Sequence, residues 1–388
     1  MKNVYLDNSA TTQVDPEVAK VMTEYMVEKY GNPSSIHLYG QQAKYALDDA
    51  REKVAKVINA GIKDIYFTSG GTEADNWAVR GIVERYIRKN IKAHIVTSQY
   101  EHSAIIETCK VLEKKHPELI TVTYLKPSSQ GYITPEQVEN AINNDTILVS
   151  IMHVNNEIGN INDILSIGKL CREKEILFHT DAVQSYTKVP IDVKTMNIDI
   201  LSASAHKIYG PKGVGFLYVR SKVDILPIMF GGHQESSQRN GTENLPGIVG
   251  FGKAAEIAND SFETDIPRIG TLKKRLYELI SKAVENIVVN GDIDKGYNGI
   301  LNLSFEGVEG ESLLLALDLE GVAVSTGSAC SAGSVKPSRV LLAIGVNEEM
   351  AQSSIRFSIG RFNTMEDVEY TAKTVIASVK RLRDMMWS

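Results

Sequence analysis

Asp181 and Lys207 are the residues of this chain whose types and positions point most directly to chemistry. Asp181 sits in Phe178-His179-Thr180-Asp181-Ala182-Val183-Gln184, and Lys207 in Ser204-Ala205-His206-Lys207-Ile208-Tyr209-Gly210. Each follows an apolar run that reads as a buried strand. A lysine at a strand exit can form a Schiff base with an aldehyde. A carboxylate nearby can hold a pyridine nitrogen protonated, so that the ring accepts electrons. Together they are what pyridoxal phosphate chemistry needs. Taken singly, Asp181 could cap a following helix, and Lys207 could extend to solvent at a domain edge.

Other candidates lie at similar places. Ser69-Gly70-Gly71-Thr72-Glu73 joins a predicted strand to a predicted helix. Glycines let the backbone approach an anion, and the first N–H groups of the helix point at it. The plainer alternative is a helix start capped by Thr72. His102, in Tyr100-Glu101-His102-Ser103, could stack on an aromatic ring or be a hydrogen-bonded structural residue. His206 could donate to a phosphate. Arg356, inside a predicted strand, can clamp a carboxylate or serve a structural ion pair, and Arg361 competes for the same role. Of the three cysteines, Cys330 is surrounded by small residues in Gly327-Ser328-Ala329-Cys330-Ser331. A thiol there is a poor packing device and a good nucleophile. Cys109 and Cys171 fall on apolar helical stripes and read as core.

These residues need a scaffold. Strand candidates at 64–68, 94–97, 121–125, 146–152, 176–179, 200–203 and 215–219 alternate with helix candidates at 73–88, 103–115, 135–143 and 163–174. Such alternation predicts an α/β fold with a mostly parallel seven-stranded sheet covered on both faces. Only a few residues around Gly210-Pro211-Lys212-Gly213 link the last two strands, too few for a parallel crossover, so the last strand is expected antiparallel. Ligands of open α/β sheets bind beyond the carboxyl ends of the strands, where these polar groups converge. After residue 260 a helix from Pro267, strands at 287–289, 301–305 and 354–358, a helix at 311–319 and a last helix from Met365 read as a smaller α+β domain. The expected division is 15–258 for the large domain, and 1–14 with 259–388 for the small one.

Composition excludes several classes. A net charge of −6 argues against a general nucleic-acid binder. No apolar run approaches a membrane span, and the N-terminus lacks a signal-peptide core, so a cytoplasmic location is expected. An odd number of cysteines without a CxxC pair argues against a disulfide framework or a zinc site. No metal is expected in catalysis.

The ordered blocks of this sequence resemble the cysteine desulfurases of the NifS/IscS type, within the fold-type-I pyridoxal phosphate enzymes. The blocks run from Leu6-Asp7-Asn8-Ser9-Ala10-Thr11-Thr12 and Gly31-Asn32-Pro33-Ser34-Ser35 through the Gly71, His102, Asn155, Asp181 and Lys207 segments. They continue to Arg239-Asn240-Gly241-Thr242, the Cys330 segment and Ser354-Ile355-Arg356. The resemblance implies L-cysteine as substrate, alanine as product, and sulfur passed to Cys330 as a persulfide. From there sulfur would go to an iron–sulfur scaffold protein or to tRNA thiolation. It implies Lys207 as Schiff-base lysine, Asp181 on the pyridinium, His102 on the ring, and Asn155 and Gln184 on the phenolic oxygen. Gly71, Thr72, Ser204 and His206 would hold the phosphate, with Thr242 reaching the phosphate of the other subunit of a homodimer. Asn8 and Arg356 would line the substrate site. Ser9 departs from an asparagine usual in this family's first block. An aminotransferase, a selenocysteine lyase, or a thiol carrier that kept the fold are the competing readings.

Overall fold

The computed structural model describes residues 2–326 and 337–386, so Cys330 lies outside the described residues. The described chain opens with a two-residue strand, β1 (Val4–Tyr5), and two helices, α1 (Pro16–Val27) and α2 (Leu38–Lys56). Asp15 caps α1 by accepting from the Glu17 N–H, and Pro16 stands in the first turn, where its missing N–H would have had no partner.

Strands and helices then alternate. The order is β2 (Ile65–Thr68), α3 (Gly71–Arg88), β3 (Ala93–Ser98), α4 (Ser103–Lys115), β4 (Ile120–Leu125), α5 (Pro135–Ala141), β5 (Thr146–Ser150), α6 (Ile164–Glu173), β6 (Leu177–Asp181), β7 (Ile200–Ser204) and β8 (Gly215–Val219). The seven strands form one sheet in the order β2-β8-β7-β6-β5-β3-β4. β8 is antiparallel to both of its neighbours, β7 and β2, and the other pairings are parallel. This is the mixed sheet expected from the short β7–β8 connection. β3, β7 and β8 are buried along their whole length, as strands covered by helices on both faces must be.

The chain continues through α7 (Leu245–Asp260) and α8 (Phe262–Ala283) to β9 (Ile287–Val289), β10 (Ile300–Phe305), α9 (Gly310–Leu319) and β11 (Val322–Ala323). α10 (Arg339–Ala343), α11 (Glu348–Gln352), β12 (Ser354–Ser358) and α12 (Met365–Met386) complete it. β12, β10 and β9 form a small antiparallel sheet, while β1 pairs in parallel with β11. The N-terminal segment therefore lies against the C-terminal part of the chain, and Leu6 is buried in the same apolar cluster as Leu303, Phe357 and Val375. The main cluster, around Phe178, Phe216 and Phe251, also takes in Val340 and Leu341 of α10. α8 begins five residues earlier than Pro267 suggests. The proline sits inside the helix, near enough to its start that only one turn precedes it.

α3 carries Gly71 and Thr72, and its packing is anchored by Trp77. The indole is fully buried and donates from Nε1 to the Leu226 carbonyl at 2.9 Å. Trp77→Ala is expected to cost about 4 kcal/mol, with the cavity as the main term. A urea titration should show a lowered midpoint at unchanged slope.

Candidate active site

Five strand exits meet at one end of the main sheet. The β2 exit leads through Gly70 into α3. Gly70 has φ +152°, a conformation open essentially to glycine alone. No side chain caps α3, so the expected alternative of a Thr72 N-cap does not hold. Gly70 is the capping residue and Thr72 lies in the first turn. The N–H groups there face a cavity of about 290 Å³. A methyl group on Gly71 would come within 2.7 Å of the side chain of Val183, another residue lining the cavity.

The same cavity is lined by Gly71, Thr72, His102, Asp181, Gln184, Ser204, His206, Lys207 and Arg356, nine residues singled out from sequence. Asp181 ends β6 and accepts from the Val183 N–H at 2.8 Å. Burial pushes its carboxyl up, and His102, the Val183 N–H and Lys207 pull it back towards the ionised form. His102 is the N-cap of α4, accepting from the Ala104 N–H on Nδ1 at 3.1 Å. Burial lowers its basicity, so the ring presents a neutral flat face. His206 is pushed down to about 4, chiefly by burial and also by Lys207 and two other lysines. Its Nδ1 lies 3.1 Å from the Thr11 hydroxyl. Lys207 Nζ donates to the carbonyls of Ser9 at 2.5 Å and Ala10 at 2.7 Å. Gln184 Nε2 donates to the same Ser9 carbonyl at 2.8 Å. These contacts use the backbone of residue 9 and do not depend on its side chain.

The two arginines separate clearly. Arg356 reaches the cavity, with Nη2 on Asp7 at 2.8 Å and Nη1 on the Asn156 carbonyl at 2.9 Å. Its buried Nε has no hydrogen-bond partner, leaving donor capacity for a carboxylate. Arg361 is instead fixed in an ion-pair cluster with Asp15 at 3.1 Å and Asp265 at 3.3 Å, stacked on the Tyr209 ring.

Three candidates stand apart from this cavity. Asn155 is fully buried, donating to the Tyr100 carbonyl and accepting from the Glu157 and Ile158 N–H groups. Its neighbour Asn156 lines the cavity. Asn8 spends its amide on the Ser358 carbonyl at 2.8 Å. Thr242 is exposed, in a segment tied to α3 by the Arg239–Glu73 pair at 2.7 Å. One ionisable lining residue escaped sequence reading. Asp75 is buried, its Oδ1 has no hydrogen-bond partner, and it lies 3.8 Å from His179 Nε2. Burial, and after it Asp181, push its carboxyl well up. Its spacing of four from Gly71 puts both on one helix face, a signal that was available in the sequence.

Among the described residues, no group of three or more His, Cys, Asp and Glu side chains could hold a metal ion. Nor is any described helix long and apolar enough to cross a membrane.

The aminotransferase class-V family model matches residues 4–371. The chain belongs to that family. It is 51% identical over 387 residues to the cysteine desulfurase IscS of Shewanella sediminis (strain HAW-EB3), covering 98% of this chain and 94% of that one. Among solved structures, a NifS-like protein superposes with a TM-score of 0.91 at 36% identity, over 98% of this chain and all of that one. A structure of SspA in complex with cysteine matches with a TM-score of 0.83, also at 36% identity, over 93% of this chain and 100% of that one.

Class-V aminotransferases use pyridoxal phosphate, and the residues here suit it. A buried carboxylate, a lysine, a neutral imidazole and an uncapped helix N-terminus share one cavity. They match in turn a pyridinium nitrogen, an aldehyde, an aromatic face and a phosphate.

Proposed function

We propose that this protein is a cysteine desulfurase. It would convert L-cysteine to L-alanine and pass the sulfur to Cys330 as a persulfide. The observation that carries the reading is the cavity itself, in which Lys207, Asp181 and the Arg356 guanidinium converge. The likeness to IscS supports the choice of cysteine among amino-acid substrates.

When bound, pyridoxal phosphate supplies an electron sink that makes the substrate's Cα proton acidic and its Cβ–Sγ bond labile. Lys207 would hold the cofactor through its aldehyde carbon and later move the proton at the substrate Cα. Asp181 would keep the ring nitrogen protonated, and His102 would offer its face to the ring. Gly71, Thr72, Ser204 and His206 would hold the phosphate. Gln184 and Asn155 are assigned to the phenolic oxygen, although Asn155 has its amide committed elsewhere in this structure. Arg356, with Asn8, would bind the substrate. The Cys330 thiolate attacks the substrate's Sγ: the S–S bond forms as the Cβ–Sγ bond breaks, and the carbon takes up a proton to become alanine.

The partner would be a second copy of the chain, with Thr242 reaching the other subunit's phosphate. Exposed Ile36, Tyr45 and Phe230 side chains support a covering partner. Residues 15–258 would form the cofactor-binding domain, and 1–14 with 259–388 the smaller one. The sulfur acceptor would be an iron–sulfur scaffold protein or the tRNA-thiolation machinery. The free thiols of Cys109 and Cys171 suit a reducing, cytoplasmic setting.

The test is incubation with L-cysteine and quantification of products. Alanine should appear in step with sulfide released by added dithiothreitol. A keto acid in place of alanine would mean transamination and would reject the reading. Arg356→Ala should raise KM for cysteine about 10- to 100-fold with a smaller effect on kcat, as loss of a carboxylate clamp does. An unchanged KM would move the carboxylate site elsewhere.

A further inference from the structure

A second lysine stands behind the site. Lys188, four residues after Gln184 in the turn beyond β6, donates from Nζ to Gln184 Oε1 at 3.3 Å. Gln184 Nε2 donates in turn to the Ser9 carbonyl at 2.8 Å, and Lys207 Nζ reaches that carbonyl at 2.5 Å. Lys188, Gln184, Ser9 and Lys207 thus form one connected hydrogen-bond path. A primary amide has a donor end and an acceptor end, and here an ammonium fixes one while a carbonyl fixes the other.

We propose that Lys188 is a positioning residue of the active site: it sets the orientation of the Gln184 amide and, through its charge, weakens the hold of Lys207 on its proton. This rests on reading Lys207 as the cofactor-bearing lysine. A neighbouring cation is one of the few ways to make a lysine amine available near neutral pH. Repulsion between two ammonium groups is mutual, and burial together with Lys207 pushes the Lys188 amine down to about 7.

The other charged and titratable groups around Lys188 do not replace Lys207 in this role. The Tyr297 ring centroid lies 5.7 Å from Nζ, and burial pushes that phenol up, so it is neutral. The small cavity beside Lys188 is also bordered by Tyr209, Asp265 and Arg361. Asp265 and Arg361 pair with each other at 3.3 Å, and burial raises the Tyr209 phenol. His206, held down at about 4, is uncharged at neutral pH. Lys207 is therefore the charge that Lys188 meets.

The test is a pH titration of the cofactor absorption band in the holoenzyme, for the native protein, Lys188→Met and Lys188→Arg. Removing the charge should move the midpoint up by about one pH unit, because the cation that disfavoured protonation at Lys207 is gone. Lys188→Arg should stay near the native midpoint. An unmoved midpoint in Lys188→Met, or equal shifts in both variants, would overturn the inference. If Lys188→Met does not fold, Lys188→Gln is titrated in its place with the same expectation. A native band with unmoved variant midpoints removes this inference alone. A native band that does not titrate removes this inference alone, and a native protein with no cofactor band removes the Lys207 assignment and this inference together.

Discussion

Lys207→Ala is expected to lower alanine formation from L-cysteine by at least about 10³-fold, since in the proposed mechanism one side chain would both anchor the cofactor and move the Cα proton. The site's geometry explains why no neighbour takes over. Lys188, a second buried amine linked to the site, is committed to Gln184 and borders a separate small cavity. His102 has Nδ1 occupied by the Ala104 N–H, and His206 has too little basicity to take a proton. The loss should come without unfolding. Lys207 Nζ donates to the carbonyls of Ser9 and Ala10, and both lie on a segment held independently by the Ser9 N–H on the Ser358 hydroxyl. Denaturant midpoints should differ little, while the cofactor absorption band of the Lys207 Schiff base disappears. A variant that retained that band and a substantial rate would show that another amine carries the cofactor.

The main sheet was legible because its signal is local and repeated. Each strand is a short β-rich run between helical patterns, and the β7–β8 link is too short for any topology but an antiparallel one. The convergence of Gly71, His102, Asp181 and Lys207 followed from the general rule for strand exits. What was not legible depends on tertiary packing. α1, α2 and α7 pack together largely through small side chains such as Ala43, Ala46, Ala50, Ala254 and Ala255, which leave a weak apolar pattern. β1 and β11 are two residues each, too short for any periodicity. Asn155 and Asn156 are adjacent, and which of them faces the cavity is decided by the turn after β5, where Asn155 folds back to accept two N–H groups. Arg356 and Arg361 differ in the same way. One is held in β12 with alternate faces fixed by pairing to β10, and the other lies past the strand beside Asp15 and Asp265.

Cys330→Ala is expected to abolish persulfide formation and lower alanine release about 10²- to 10³-fold, while leaving the cofactor absorption band in place. The argument is by chemistry among the three thiols of the sequence. Cys109 is fully buried among Ile105, Leu112 and Ile120, and burial pushes its thiol up to about 12. Cys171 is fully buried on the α6 stripe, and burial pushes it likewise to about 12. At pH 8 a thiol titrating near 12 is ionised in roughly one molecule in ten thousand, and the thiolate is the nucleophile. Neither thiol can approach the cavity without unpacking a core helix. Replacing both with alanine should cost about 1 kcal/mol at each position through small cavities, and should leave turnover within a factor of two. Mass spectrometry after brief exposure to L-cysteine decides the matter. A gain of one sulfur atom is expected in the native and the double Cys109→Ala/Cys171→Ala proteins and not in Cys330→Ala. Because the absorption band survives in Cys330→Ala and is lost in Lys207→Ala, the two variants report separate steps. If sulfur appeared on the Cys330→Ala protein, a core thiol would have to be reached by local opening, and the transfer would then be limited by the stability of α4 or α6.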